Sequence, residues 1–251
     1  MIRFVLCALF LLDFLVGSLI LFPVMWILGK TAPKKRDRMA FHVIRWAFRV
    51  ELFLAGTKLE IRGKENLPKS GESVLYVANH RSYFDMLCAY VAVPDITGFV
   101  AKIELFKVPI LRVWMKWISC LCLDRDDIRA GLKMILEGVE KIKSGTSIWI
   151  SPEGTRSKNE DFTELLEFKA GSFKLGEKSG HPIVPVAISG TREIYELHRP
   201  KVRRSHVIME FGKPILTENL DRESKKTLPE DTKEVIHQML LAHKKEREAA
   251  L

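Results

Sequence analysis

The sequence lacks the features that mark a secreted, disulfide-stabilised protein. Its four cysteines, Cys7, Cys88, Cys120 and Cys122, do not have the spacing of a disulfide framework. The chain also contains no Asn-x-Ser/Thr sequon, which is the acceptor for N-linked sugars. We therefore expect the protein to face a reducing compartment such as the cytosol.

Several catalytic signatures are also missing. The chain has no G-x-S-x-G elbow and no H-E-x-x-H pair, so the sequence does not support a standard serine hydrolase or a zincin. Cys120 and Cys122 form a C-x-C pair, but no second cluster of cysteine or histidine completes a tetrahedral set of ligands. We predict no metal site and interpret the pair as small residues in a buried strand.

Acidic residues are in the minority, and the formal net charge is +9. Such a surface attracts anions, which include nucleic acid, acidic proteins, phosphorylated substrates and anionic lipids. Between Lys30 and Arg49, seven basic residues stand against Asp37 alone, which gives this segment a net charge of +6. Most of the excess positive charge therefore lies in one short part of the chain.

Polar residues are nearly absent from residues 4–29, FVLCALFLLDFLVGSLILFPVMWILG, whose one charged residue is Asp13. This run is long enough to cross a bilayer, for which about 20 apolar residues suffice. It is too long for the apolar region of a signal peptide, and no small-residue cleavage site follows it. Because a carboxylate is unfavourable at the bilayer centre, a spanning helix and a helix lying in the interface both stay open. The adjacent positive charge indicates the cytoplasmic side of the membrane.

Arg38, His42, Arg45 and Arg49 recur at intervals of three or four residues, which places them in one narrow stripe of a helix. The rest of that helix is mostly apolar, a pattern typical of the membrane interface, where arginines meet the phosphates of anionic lipids. The alternative is a core helix with a solvated stripe. We predict that residues 1–55 form a helical membrane anchor and that residues 56–251 form an α/β domain.

From Thr57 onward, short β-branched runs alternate with longer helical stretches. The candidate strands cover residues 74–79, 96–102, 118–124, 146–150, 182–188 and 205–211. The candidate helices cover residues 105–117, 126–143 and 163–179. Strands that are apolar on both faces and alternate with helices are typical of a mainly parallel sheet flanked by helices. The predicted fold class is therefore α/β, preceded by the N-terminal helical anchor.

Three polar segments follow predicted strands: NHRSYFD at 79–85, LDRDD at 123–127 and SPEGTRS at 151–157. In sheets of this kind, ligands bind beyond the carboxyl ends of the strands. We therefore predict that the three segments contribute to one shared site.

His80 and Asp85 are the candidates for an acid–base pair. If His80 lies in the turn that enters a helix and Asp85 in its first turn, the carboxylate holds one imidazole nitrogen. The other nitrogen is then free to act as a general base near neutral pH. The alternative is a capped helix with a surface histidine, in which Asn79 or Ser82 is the cap and Asp85 stabilises the positive end.

Cationic residues at the strand ends predict an anion pocket made of Lys102, Arg125 and Arg156. The planar guanidinium of arginine suits a phosphate in particular. Gly154 allows positive φ and a close approach of the backbone, and Glu153 offers a carboxylate that can accept a hydrogen bond from an alcohol.

These segments resemble the sequence blocks of the glycerolipid acyltransferases. NHRSYFD is similar to their H-x-x-x-x-D block, and AKIELFKVPILRVWMKWISCLCLDR at 101–125 is similar to their second block. SPEGTRS resembles their E-G-T-R-S block, and IVPVAI at 183–188 resembles their fourth. The resemblance extends from about Leu59 to Gly212. It is strongest to the members that acylate 1-acyl-sn-glycerol-3-phosphate.

The resemblance implies a membrane-bound enzyme that moves a fatty acyl group from an acyl thioester to the sn-2 hydroxyl of a lysophosphatidic acid, forming phosphatidic acid. It implies that His80 is the base, that Asp85 orients it, and that no acyl-enzyme forms. The residues that it implies for acceptor binding are Lys102, Arg125, Glu153, Gly154, Thr155 and Arg156. No cofactor is expected beyond the co-substrate, which is acyl-CoA or an acylated acyl carrier protein.

The chain departs from the family pattern at Ser151, where phenylalanine is commoner, and at Cys120 and Leu121, which replace the usual glycine and its neighbour. We expect these changes to affect acyl or acceptor preference. The competing hypothesis is a non-catalytic basic module that binds membranes or nucleic acid. Nucleic acid is disfavoured because the basic residues concentrate beside the apolar run and no aromatic-rich RNA-binding signature occurs. The expected partners are therefore the two substrates and anionic membrane lipids.

Overall fold

The computed structural model describes residues 1–124 and 127–249. The helices are α1 (Ile2–Gly17), α2 (Phe22–Thr31), α3 (Pro33–Ala55), α4 (Phe84–Ala92), α5 (Ile103–Phe106), α6 (Pro109–Trp117), α7 (Ile128–Lys143), α8 (Lys174–Ser179) and α9 (Arg222–Ala249). The strands are β1 (Thr57–Arg62), β2 (Leu75–Ala78), β3 (Thr97–Lys102), β4 (Leu121–Leu123), β5 (Ser147–Ile150), β6 (Ile183–Ser189) and β7 (Ser205–Phe211). Short 3-10 turns cover Ser18–Leu21, Lys64–Asn66 and Ala170–Phe173.

The strands form one seven-stranded sheet in the order β1-β7-β6-β2-β5-β3-β4. Neighbouring strands are parallel except for β6 and β7, which are antiparallel. The predicted α/β fold class with a mainly parallel sheet is therefore confirmed. Because β2 to β6 run in the same direction, their carboxyl ends lie at one edge of the sheet. We call this edge, with the loops that follow these strands, the active-site edge.

Two predicted helices differ from those observed. The stretch 105–117 is divided into α5 and α6 because Val108 is extended and Pro109 begins a new helix. The stretch 163–179 is helical only from 170 onward. Residues 163–169 are not helical because their backbone N–H groups bind the loop after β5 instead: Leu166 donates to Glu153 and Lys169 donates to the carbonyl of Pro152. Strand β1 and helix α9 were not predicted.

The three N-terminal helices share a hydrophobic core with one face of the sheet. Cys7 of α1, Met25 of α2 and Phe41 of α3 belong to the same buried cluster as Tyr76 and Trp149 of the sheet. Helices α7, α8 and α9 cover the opposite face and contribute to a second cluster. The proposed division of the chain after residue 55 stays a prediction, although α3 ends there with Gly56 in the left-handed conformation.

Helices α1 and α2 also expose an unusual amount of apolar surface. The segment Ile2–Thr31 is long and apolar enough to cross a membrane, and 11% of its most apolar window is buried. On α3, Arg38, His42 and Arg49 are exposed as the stripe predicts. Arg45 is half-buried and donates through Nη2 to the carbonyl oxygen of Val91 at 2.8 Å, so it helps to fix α4 rather than face lipid.

Candidate active site

The loop after β2 places His80 at the active-site edge and is held on both sides. Asn79 is buried and bridges to β6, donating to the carbonyl of Ile188 at 2.9 Å and accepting from its N–H at 2.8 Å. The loop after β5 holds the other side, because Ser157 N–H donates to the carbonyl of His80 at 2.8 Å. Two of the three predicted polar segments therefore meet at His80.

The side chains of His80 and Asp85 form a hydrogen-bonded pair. Nδ1 of His80 lies 2.7 Å from Oδ2 of Asp85, in the first turn of α4. The same Oδ2 accepts from the backbone N–H groups of Arg81 at 2.7 Å and Ser82 at 2.8 Å. The hydroxyl of Thr191, in the loop after β6, donates to Oδ1 at 2.5 Å. Asp85 is thus buried and fixed by four donors.

The geometry of His80 suits a base that meets a substrate. Its side chain is 29% exposed, whereas the Asp85 side chain is 6% exposed. With Nδ1 facing Asp85, the other ring nitrogen, Nε2, has no hydrogen-bond partner among the described residues. A carboxylate on Nδ1 selects the tautomer in which Nε2 carries the lone pair, so Nε2 is positioned to accept a proton.

Glu153 lies beneath the histidine loop rather than on the surface of the site. It is 4% exposed, and burial raises the pKa of its carboxyl group. Its Oε1 accepts from the backbone N–H of His80 at 2.7 Å, and its Oε2 accepts from that of Leu166 at 3.2 Å. Through the first of these hydrogen bonds Glu153 holds the loop that carries His80, and its predicted contact with the acceptor stays a prediction.

Gly154 and Arg156 lie at the surface of the same loop, and Thr155 is exposed between them. Gly154 has φ of 71°, which favours glycine, and a Cβ there would lie 3.0 Å from Nζ of Lys169. Nη1 of Arg156 pairs with Oε1 of Glu196 at 3.5 Å, and its guanidinium lies 3.7 Å from the ring centroid of Tyr83. Arg156 and Lys169 therefore bring positive charge to this loop.

Of the three cations in the predicted anion pocket, the structure describes Lys102 and Arg156. Lys102 is exposed at the end of β3, and Arg156 is half-buried in the loop after β5, the neighbouring strand. Arg125, the third predicted cation, lies outside the described residues. The convergence of these side chains on one phosphate stays a prediction.

An apolar cavity of about 420 Å³ opens beside the histidine loop. Its walls come from α1, α3, α4 and α6, and from β3. Tyr83, three residues after His80, and Tyr195, in the loop after β6, are part of its lining. The cavity therefore begins near the His80–Asp85 pair and extends under the N-terminal helices.

Sequence reasoning missed three residues of this site: Thr191, Glu196 and Lys169. Glu196 accepts from the Ser82 hydroxyl at 2.7 Å and from the Tyr83 N–H at 2.9 Å, in addition to its pairing with Arg156. The sequence does contain a signal for Thr191, because the polar run SGTRE at 189–193 follows the strand IVPVAI as the other site segments follow theirs. Lys169 has no comparable signal, since its loop depends on backbone hydrogen bonds to Pro152 and Glu153.

The described residues contain no group of three or more histidine, cysteine, aspartate or glutamate side chains arranged to hold a metal ion. All four cysteines are free thiols. Three of them are buried and Cys122 is half-buried.

Comparison with known proteins places this geometry in context. The sequence model of the acyltransferase family matches residues 58–189, which include His80, Asp85 and the whole loop after β5. The chain is 31% identical over 188 residues to the 1-acyl-sn-glycerol-3-phosphate acyltransferase of Saccharomyces cerevisiae, covering 72% of this chain and 61% of that protein. It is 31% identical over 201 residues to the protein of the same name from Escherichia coli, covering 78% of this chain and 80% of that one.

The chain spans 37% to 61% of the length of the first curated relatives that it matches. Among solved structures, it is similar to the 1-acyl-sn-glycerophosphate (LPA) acyltransferase PlsC from Thermotoga maritima, with a TM-score of 0.75 and 24% identity. The match covers 96% of this chain and 98% of that one, so it includes the N-terminal helices as well as the sheet. At this level of identity, the likeness shows a shared fold.

Proposed function

The chain belongs to the acyltransferase family, and from this we propose that it acylates the sn-2 hydroxyl of 1-acyl-sn-glycerol-3-phosphate from an acyl thioester, forming phosphatidic acid. The observation that carries the proposal is the His80–Asp85 hydrogen bond of 2.7 Å beside an apolar cavity. The curated relatives named above support the choice of acceptor.

We assign the proton transfers to His80. Its Nε2 removes the proton from the 2-hydroxyl as the oxygen attacks the thioester carbonyl, and Asp85 stabilises the imidazolium that forms. The tetrahedral intermediate then collapses, the C–S bond breaks, and the proton passes from His80 to the leaving thiolate. The new ester bond forms directly between acceptor and acyl group, so no acyl-enzyme is required. The burial of Cys88 and Cys120 agrees with this route.

The acyl chain occupies the apolar cavity in this proposal. Burial of methylene groups in an apolar site is favourable by about 0.8 kcal/mol each, so a cavity lined by aromatic and aliphatic side chains binds a fatty chain well. Because the cavity begins near Tyr83, a chain in it presents its carbonyl end toward His80.

The acceptor phosphate lies against the loop after β5. Arg156 supplies a planar guanidinium, Lys169 supplies an ammonium group beside Gly154, and Lys102 and Arg125 follow neighbouring strands. A phosphomonoester carries about −1.5 to −2 charges at pH 7, which such a set of cations stabilises. A neutral acceptor would leave that attraction unused.

The membrane supplies the lipid acceptor in this proposal. The large exposed apolar side chains are concentrated on α1 and α2, and the basic residues follow directly in α3. This arrangement suits helices that lie in the cytoplasmic face of a bilayer, with arginines at the level of anionic headgroups.

The test is product formation by the purified full-length protein in detergent or lipid. Labelled palmitoyl-CoA and palmitoyl-acyl carrier protein are each offered with lysophosphatidic acid, lysophosphatidylcholine and monoacylglycerol. We expect phosphatidic acid from lysophosphatidic acid with at least one donor and much slower use of the other acceptors. Acyl transfer to none of them would favour the non-catalytic membrane-binding module instead.

A further inference from the structure

The apolar cavity contains one carboxyl group that the proposed mechanism does not use. Glu51 of α3 is part of the lining, together with Cys7 of α1, and is 9% exposed. Its Oε2 atom is buried and has no hydrogen-bond partner among the described residues. The Cys7 thiol lies close to the same carboxyl group.

A buried carboxyl oxygen without a hydrogen-bond partner is unfavourable unless a ligand supplies the missing hydrogen bond. Burial raises the pKa of Glu51 to about 7, so about half of these groups are protonated at neutral pH, and the protonated form can both donate and accept a hydrogen bond. The remaining walls of the cavity are almost entirely apolar. Glu51 is therefore a polar point in a site that otherwise favours a plain hydrocarbon chain.

The fold places Glu51 at the end of the cavity nearest His80. Strand β1 is parallel to β7, which is antiparallel to β6, so β1 begins at the active-site edge. Helix α3 leads into β1, and its last turn therefore lies at that edge as well. The start of α1 lies beside it, because Arg3 donates to the carbonyl of Leu54 at 2.9 Å.

Aromatic contacts also indicate that Glu51 lies at the end of the cavity nearest His80. Phe4 of α1 stacks on Tyr195, with ring centroids 5.9 Å apart, and Tyr195 adjoins Glu196, which holds the histidine loop. Cys7, the neighbour of Glu51, lies about 4.5 Å further along α1 than Phe4. The far end of the cavity, at Phe14 and Trp114, lies about 15 Å along the same helix.

We propose that Glu51 selects acyl thioesters that carry a hydroxyl group on the part of the chain close to the thioester. In the bound state, the hydroxyl of a 3-hydroxyacyl chain completes the hydrogen bonding of the Glu51 carboxyl group. This inference rests on the proposed function, since it concerns the acyl donor of that reaction. It adds the class of acyl chain that the cavity prefers.

The experiment compares thioesters of palmitate, 3-hydroxypalmitate and 16-hydroxypalmitate as donors to lysophosphatidic acid, using the full-length protein. We expect kcat/KM to be about ten-fold higher for 3-hydroxypalmitate than for palmitate, the effect of one hydrogen bond to a buried group. We expect 16-hydroxypalmitate to be a poorer donor than palmitate, because its hydroxyl would reach the apolar far wall.

Two variants at position 51 test the assignment. Glu51→Leu removes the polar group, so we expect the preference for 3-hydroxypalmitate to disappear or reverse. Glu51→Gln keeps a donor and an acceptor in the same shape, so most of the preference should remain. If the leucine variant does not fold, the wild-type ratio and the glutamine variant still decide the matter.

Tyr90→Phe is the matched control, because the Tyr90 hydroxyl is the other buried, unpartnered polar atom in the described lining. Its removal should leave the donor ratio unchanged. The proposal is overturned if wild type does not prefer 3-hydroxypalmitate, if Glu51→Leu keeps the preference, or if Tyr90→Phe abolishes it. Use of palmitate without discrimination refutes this inference alone, whereas transfer from none of the donors refutes the proposed function with it.

Discussion

Replacement of Asp85 by asparagine separates the effect of the Asp85 charge from the effect of the geometry of the His80–Asp85 pair. Oδ2 of Asp85 accepts from His80, Arg81 and Ser82, and Oδ1 accepts from Thr191. An asparagine can present its carbonyl oxygen to the three donors and its NH2 group to the Thr191 hydroxyl, which is also an acceptor. The hydrogen bonds are therefore kept, while the negative charge beside the imidazole is lost.

The expected loss of activity in Asp85→Asn follows from the loss of this negative charge. A hydrogen bond to a charged group is roughly twice as strong as a neutral one, and a positioned base contributes about 10²- to 10⁴-fold to rate. We expect kcat of Asp85→Asn to fall on the order of 10²-fold, or about 2.7 kcal/mol in activation free energy. The free energy of unfolding should fall by only about 1 kcal/mol.

The assay is phosphatidic acid formation at saturating donor and acceptor, with denaturant unfolding of the same preparation. Asp95→Asn is the matched control, because Asp95 is exposed just before β3, at the opposite edge of the sheet. A folded Asp85→Asn protein that keeps kcat within a few-fold of wild type would refute the role assigned to the Asp85 charge.

Three further predictions concern the acceptor, the buried carboxyl and the membrane. Arg156→Ala should raise KM for lysophosphatidic acid far more than KM for monoacylglycerol, with Lys158→Ala as a nearby control; equal changes for both acceptors would remove Arg156 from the phosphate site. Burial raises the pKa of Glu51 from 4.5 to about 7, so the folded protein binds this proton more tightly than the unfolded chain does. The contribution of the protonated carboxyl group to the free energy of unfolding is fully present below about pH 4.5 and is lost as the pH rises through 7. Between pH 4.5 and 8, wild type should therefore lose ~3 kcal/mol of unfolding free energy relative to Glu51→Gln in detergent, and parallel pH profiles would contradict this. Leu9, Leu12 and Val16 are exposed on α1, and their replacement by serine should lower partition of the protein into anionic vesicles. The reason is that burial of one aliphatic side chain in an apolar environment is favourable by about 1.5 to 3 kcal/mol. Unchanged vesicle flotation would argue against insertion of this surface.

The parts of the fold that depend on local pattern could be predicted from the sequence. Local sequence patterns identify the apolar strands β2, β5 and β6. The polar residues that follow these strands could be assigned to one site because the carboxyl ends of parallel strands lie at the same edge of the sheet. The meeting of His80 with Asp85 was predictable as one of two alternatives, because a turn that enters a helix can bring side chains five residues apart together. Strand β1, TKLEIR, lies at the sheet edge and is half-buried. Its alternation of charged and apolar residues is typical of such a strand, but it differs from the runs apolar on both faces that marked the other strands.

The parts that depend on distant contacts could not be predicted. An apolar face that meets lipid and one that meets a sheet look alike in sequence, so the packing of Cys7 and Phe41 into the sheet core had no signal. The role of Glu153 was also hidden, because its two backbone donors come from His80 and Leu166, far apart in the chain. The cavity and its Glu51 carboxyl arise only when α1 and α3 pack together.

In the proposed reaction, Nε2 of His80 removes the proton from the acceptor hydroxyl. The most direct test is the single-turnover rate of phosphatidic acid formation by His80→Ala, with donor and acceptor binding measured in parallel. We expect the rate to fall on the order of 10²-fold or more, with substrate binding and membrane association retained. A folded His80→Ala protein that forms phosphatidic acid at a near wild-type rate would contradict it.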